Sequence, residues 1–442
     1  MTTWWAERAW LGGPGTAAGV LLEEKDGRFV TVTPGMPVPP RGAERLQGLT
    51  LPGLANTHSH AFHRALRART QDAGGTFWSW RDLMYRLAER LDPDGYRRLA
   101  RAAYAEMALA GFTAVGELHY LHHGAGGVPY DDPNEMGESL FEAAAGAGVR
   151  LTLLDACYLR GGFDKELSGP QLRFGDGDAA GWAERVSLLR PPAHARVGAA
   201  IHSVRAVPPA AAAEVSAFAR QRGWPLHAHV SEQRCEVQEC QALLGRSPLG
   251  VLEAEGVLGP GFTAVHGTHF DADDVALLAS SRGGCCVCPT TEADLGDGVA
   301  PAAALVSAGV ALSFGTDSHA VVDGFEEARS LEMGSRLASE RRGVLSASAL
   351  LEAATAGGMA ALAWDAGVLE AGRLADFVTV RLDSTRTAGG DPSLASTAVF
   401  AARAADVTDV VVGGRRIVAG GAHLLVADPA GELASTIGAL WT

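Results

Sequence analysis

Apolar positions along the middle of this chain fall in short runs, each stopped by a polar or titratable residue. Eight runs stand out: LTLPGLANTHSH, FTAVGELHY, VRLTLLDACY, VGAAIHSVR, WPLHAHVSE, FTAVHGTH, GCCVCPTTE and VALSFGTDS. Most are followed by a stretch compatible with a helix, such as residues 208–221 or 233–256. Strands alternating with helices predict parallel β/α units, and eight units predict an α/β fold, a closed (β/α)8 TIM-like barrel over residues 51–367. The ends of the chain differ. AGVLLEE and RFVTVTPG near the start, and ADFVTVRL, VTDVVVGGRRIV and AHLLVA near the end, read as strands without intervening helices. Neither end has enough strands for a stable sheet. Residues 1–50 and 368–442 are therefore expected to build one small β-sandwich domain together.

His58, His60, Glu117, His119, Tyr120, His202, Arg205, His229, Glu232, His266, Thr290, Glu292 and Asp317 cluster where the apolar runs stop. In a parallel barrel that end of the strands is the catalytic face. His58 and His60 are two residues apart and so point to the same side of a strand. His229 enters from the fifth run and Asp317 from the eighth. Three imidazoles and one carboxylate suit a single divalent cation, Zn²⁺ first and Fe²⁺ as an alternative, with water completing the shell. That set predicts a metal-dependent hydrolase. The only lysines are Lys25 and Lys165, neither at a strand end after the fourth run, which favours a single metal over a pair bridged by a lysine. Glu232, three residues beyond His229, is placed to shuttle a proton. His266 is placed to polarise the substrate or steady developing charge, and Asp317 both to bind metal and to take a proton from water.

The 442 residues are 47% hydrophobic and 20% charged, ample for a large core. A net charge of −14 argues against nucleic-acid or anionic-membrane partners. No run of 18 apolar residues predicts a membrane span, and MTTWWAERAW does not read as a signal peptide, so a cytoplasmic protein is expected. The six cysteines fit no zinc-ribbon spacing and are read as small buried hydrophobes. Arg205, three residues past His202, and Arg81, after an aromatic-rich loop, are suited to hold carboxylates in bidentate forks, so a small anionic substrate is expected. Trp80 is read as packing and Trp78 as a packing or pocket residue. His122 and His123 read as lid or structural residues, and Asp131 and Asp132 as turn residues before Pro133.

LPGLANTHSHAFHRAL, the H-x-x-E of His229 and Glu232, the lone His266 and GTDS together resemble the amidohydrolase superfamily, in its mononuclear deaminase branch. GRLADFVTV resembles the return into that family's small β domain. HSHAFHRAL, GTFWSWR, GELHYLHH, HSVRAV and CPTTEADLGDG resemble, more narrowly, the formimidoylglutamate deiminases. The resemblance implies hydrolysis of the C=N bond of N-formimidoyl-L-glutamate to N-formyl-L-glutamate and ammonia, in histidine degradation. It implies metal ligands at His58, His60, His229 and Asp317, a proton shuttle at Glu232, and substrate contacts at Arg81, Tyr120, His202, Arg205 and His266. It also implies a homodimer. Where that family has Gln, this chain has His63, a substrate-side residue whose charge would depend on pH near its ordinary value of about 6.5. The alternatives are a related deaminase for formimino-aspartate or a purine or triazine, and a barrel that has lost catalysis and serves as a scaffold.

Overall fold

The computed structural model describes residues 1–71 and 77–442, with side chains from Ser79 onward in the helix Phe77–Arg90. The chain opens with strands β1 (Thr2–Ala9), β2 (Ala17–Lys25), β3 (Arg28–Thr33) and β4 (Glu44–Pro52). Eight strands follow, alternating with helices: β5 (Leu54–Ser59), β6 (Phe112–His119), β7 (Arg150–Cys157), β8 (Ala195–Ile201), β9 (Leu226–Val230), β10 (Phe262–His266), β11 (Gly284–Val287) and β12 (Ala311–Phe314). The chain ends with β13 (Phe377–Val380), β14 (Val407–Val412), β15 (Arg415–Ala419) and β16 (Ala422–His423).

β5 to β12 pair in sequence order, all parallel, as a nearly closed barrel. Every residue of β5, β6 and β7 is buried, which is why these strands read as continuous apolar runs rather than alternating ones. The intervening helices carry their own start and stop signals. Asp92, Asp178, Ser247 and Asp271 accept N–H bonds from the first turns. Gly223 and Gly245 end two helices in the left-handed conformation, where a side chain would be strained.

The seam between β12 and β5 closes through a single parallel bridge, Ser59 to Asp317. The Asp317 N–H donates to the His58 carbonyl at 3.0 Å, and the His60 N–H to the Asp317 carbonyl at 3.3 Å. Barrel closure and the predicted metal ligands therefore share the same backbone bonds. The opposite end is floored by a segment running from a π-helical turn (Ala353–Gly357) to Trp364. Thr152 donates to the Leu362 carbonyl at 2.9 Å, and the His227 ring meets the Ala361 carbonyl at 3.0 Å. Met359, Leu362 and Trp364 pack with Ala55 and Ala114 of the barrel strands.

The other eight strands form one sheet, ordered β16-β15-β14-β13-β4-β1-β2-β3. Both chain ends contribute, and they meet where β4 pairs antiparallel with β13. Trp4, Leu22, Phe29 and Phe377 make its core. Asp376, fully buried, takes two bonds from Arg150 of β7 at 2.6 and 3.0 Å and ties sheet to barrel.

Candidate active site

His58 is the fifth residue of β5 and His60 follows the strand's end. His229 lies on β9, and Asp317 lies just past β12. Their donor atoms all fall within 4.8 Å of one another, and all four residues are buried. His58 Nε2 lies 3.1 Å from His229 Nε2 and 3.3 Å from Asp317 Oδ1, and His60 Nε2 lies 3.4 Å from the same oxygen. An ion about 2.0–2.2 Å from four tetrahedral donors spaces those donors about 3.3–3.6 Å apart, and these three separations lie close to that range.

The hydrogen bonds behind the rings support this fit. His60 Nδ1 meets the Leu118 carbonyl at 2.8 Å, and His229 Nδ1 meets the His202 carbonyl at 2.7 Å. Each bond places the ring proton on Nδ1 and leaves the Nε2 lone pair facing the cage. Burial, helped by neighbouring imidazoles, lowers the His60 and His229 rings well below their ordinary value, which keeps them in the neutral, ligating form. Burial works to raise the Asp317 carboxyl, but His58, His266 and His60 outweigh it and hold it well below the carboxylate range. Backbone strain collects here too. Ser231, His266, Asp317 and His319 all have positive φ, between 39° and 73°. Such conformations cost on the order of 1–3 kcal/mol each and cluster at functional sites.

Next to the cage, Glu232 Oε1 lies 3.9 Å from His266 Nε2, and Glu232 Oε2 lies 3.5 Å from an Arg205 amino group. His266 Nδ1 lies 3.4 Å from Glu292, and its Nε2 lies 3.9 Å from Asp317. Burial alone would lower the His266 imidazole, yet Glu232, Glu292 and Asp317 raise it to about 10. The three carboxylates around it favour the protonated ring, the form that donates to developing negative charge.

A cavity of about 120 Å³ opens onto this group, lined by His60, His63, Arg81, Tyr120, His202, Arg205, His229, Glu232, His266 and Asp317 among others. Every residue expected to contact substrate therefore lines this cavity. Tyr120 Oη and His63 Nε2 are 2.8 Å apart. The expectation of a pH-dependent His63 charge is not met: burial lowers its imidazole to about 3, so it stays neutral. Arg81 lies over the ring of Tyr85 at 5.5 Å.

Other expectations need correction. The segment GTFWSWR is helical from Phe77 on, and Trp80 stands edge-on to His63 at 5.1 Å in the cavity wall as well as against the core. Gly75, Thr76 and the Trp78 side chain lie outside the described residues. Cys285, Cys286 and Cys288 are buried as read, but Cys235 is exposed. Cys288 also approaches His266 and Asp317 as a further potential donor group.

The sequence reading left the roles of several residues open. Glu292 was seen only as a strand-end polar residue; it also accepts the Cys288 N–H at 2.9 Å and so fixes the loop that carries it. Glu117, raised to about 8 by burial, accepts from Ser59 at 2.7 Å and from the Ala61 N–H at 2.6 Å, which braces the His58–His60 segment. Glu236 lies behind Arg205 and Glu232. His122 and His123 are structural: His122 meets the Ala156 carbonyl at 2.9 Å, and His123 meets Asp176 at 2.9 Å.

A parallel barrel with a His-His-His-Asp cage on its C-terminal rim defines a metal-type hydrolase site. Residues 49–417 match the amidohydrolase family, and the chain belongs to it. It is 40% identical to formimidoylglutamate deiminase of Pseudomonas aeruginosa, over 96% of each chain. It is also 33% identical to a 5-methylthioadenosine/S-adenosylhomocysteine deaminase of Natronomonas pharaonis, over 84% of this chain and 81% of the relative. Its structure superposes on the crystal structure of an amidohydrolase from Brucella melitensis with a TM-score of 0.91, at 31% identity over the whole of both chains. The protein is a hydrolase acting on C–N bonds.

Proposed function

We propose that the protein hydrolyses the C=N bond of N-formimidoyl-L-glutamate, giving N-formyl-L-glutamate and ammonia in histidine degradation. The observation that carries this reading is Arg205, held 3.5 Å from Glu232 in the wall of the cavity that also exposes the cage. A substrate with two carboxylates needs fixed cations beside the reacting carbon, and Arg81 lines the same cavity. A neutral purine or triazine would bring no carboxylate for either guanidinium to hold. The 40% identity to a formimidoylglutamate deiminase points the same way.

His58, His60, His229 and Asp317 would hold one divalent ion, Zn²⁺ by the donor set, with Fe²⁺ as the alternative. Such an ion supplies Lewis acidity, lowering the pKa of a water molecule and polarising the imine. Asp317 takes a proton from the water as it attacks the formimino carbon. His266 donates from Nε2 to the tetrahedral centre. Glu232 delivers to the nitrogen the two protons that Asp317 takes from the water, one on attack and one as the water's oxygen becomes the formyl carbonyl; the C–N bond breaks and ammonia leaves. Arg81, Arg205, Tyr120 and His202 hold the carboxylates. His63, neutral, orients Tyr120 through their shared hydrogen bond. A homodimer in the cytoplasm is the expected form; five buried thiols, none in a disulfide among the described residues, suit a reducing compartment.

The test is coupled ammonia release from N-formimidoyl-L-glutamate, formimino-aspartate and guanine on metal-loaded protein. The reading expects the first to be turned over with the highest kcat/KM. Preference for guanine would overturn the substrate class, and preference for formimino-aspartate would overturn the chain length.

A further inference from the structure

We propose that Glu236 is a positioning residue that holds the Arg205 guanidinium for the substrate's carboxylate. The inference rests on reading Arg205 as a carboxylate clamp.

Glu236 is the third residue of the helix Arg234–Leu244, four residues after Glu232, and is only 1% exposed. Its Oε2 accepts the Glu232 backbone N–H at 3.0 Å. Its Oε1 lies 3.7 Å from Arg205 Nε and has no hydrogen-bond partner, and Arg205 Nε has none either. On another edge, an Arg205 amino nitrogen lies 3.5 Å from Glu232 Oε2. The guanidinium thus sits between two carboxylates. Glu232 lines the cavity, and Glu236 lies behind.

Helix capping explains only half of this. A first-turn Glu that reaches back to a preceding N–H uses one oxygen, and Gln serves that purpose equally well. Burying a full carboxylate is costly unless a cation faces it, and Arg205 is the cation within reach. Burial raises the Glu236 carboxyl and Arg205 opposes that rise. The Nε edge of Arg205 is turned to Glu236 and an amino group to Glu232. The remaining N–H groups of Arg205 are left for the incoming carboxylate.

The charge can be tested apart from the cap. Kinetics on N-formimidoyl-L-glutamate are compared for the metal-loaded wild type, Glu236→Gln, Glu236→Asp, Arg205→Ala and the double variant Glu236→Gln/Arg205→Ala. Glu236→Gln is expected to raise KM about tenfold or more with a much smaller change in kcat, and to add nothing in the Arg205→Ala background. Glu236→Asp, which retains the charge, is expected to fall nearer the wild type. An unchanged KM in Glu236→Gln, an equal effect with and without Arg205, or an Asp variant as impaired as the Gln variant would each overturn the proposal. An unchanged KM in Arg205→Ala would instead overturn the clamp reading beneath it.

Discussion

Replacing Glu232 by Gln keeps the side chain's shape and its ability to accept from Arg205, but removes the group that moves a proton. Glu232 is not one of the four cage donors, so metal content should match the wild type. His266 loses one of its three carboxylate neighbours and keeps Glu292 at 3.4 Å and Asp317 at 3.9 Å. Arg205 keeps Glu236 at 3.7 Å. What is lost is therefore proton transfer itself, which contributes typically about 10²–10⁴-fold, or roughly 2.7–5.5 kcal/mol of barrier. Ammonia release at saturating substrate, run beside metal analysis of the same sample, measures this directly. Near-wild-type turnover would remove Glu232 from the chemistry. A fall in turnover matched by loss of metal would show that it acts through the cage instead.

Other outcomes follow from the same geometry. Arg205→Ala should raise KM by about 10–150-fold, the loss of one charge-assisted hydrogen bond of about 1.5–3 kcal/mol, in steady-state kinetics. His229→Ala should purify with little or no bound metal and no ammonia release, while circular dichroism stays unchanged; full metal occupancy would contradict its place in the cage. Acid stability should depend on Asp155. Burial works to raise this carboxyl, but Arg185, at 2.7 and 3.0 Å, outweighs it and holds it below the ordinary value. A carboxyl depressed by folding contributes stability above its unfolded pKa of about 3.9, and that contribution is lost as pH falls through the folded value. Asp155→Asn should thus lower stability by about 3–5 kcal/mol at neutral pH, and the gap should shrink below about pH 4 in urea titrations. A gap that is constant with pH would contradict the pairing.

The barrel and cage were legible because two short periodicities carried them. Strands buried on both faces read as unbroken apolar runs, and a parallel barrel sends the residue that ends each run to the same rim. His58, His60, His229 and Asp317 each sit at such an end. What escaped depends on contacts between distant segments. Glu236 looks like an ordinary first-turn glutamate until Arg205 packs against it from another loop. His63 has the ordinary imidazole value in sequence; only burial makes it permanently neutral. Trp80 was read as packing, but its helix turns the ring toward His63 as well. Cys288 packs with Cys286 and Val265 as the buried hydrophobe it was read to be, yet it also comes near His266 and Asp317 just past β11. The floor from Ala353 to Trp364 left no signal, since its role is set by the barrel end it fills.

The central claim is that three imidazoles and one aspartate hold a single divalent ion. X-ray absorption at the metal edge of stoichiometrically loaded protein tests it most directly. The structure predicts one ion per chain in a shell of nitrogen and oxygen alone, at about 2.0–2.2 Å. A sulfur neighbour near 2.3 Å, marking the Cys288 group, or failure to retain any ion would contradict it.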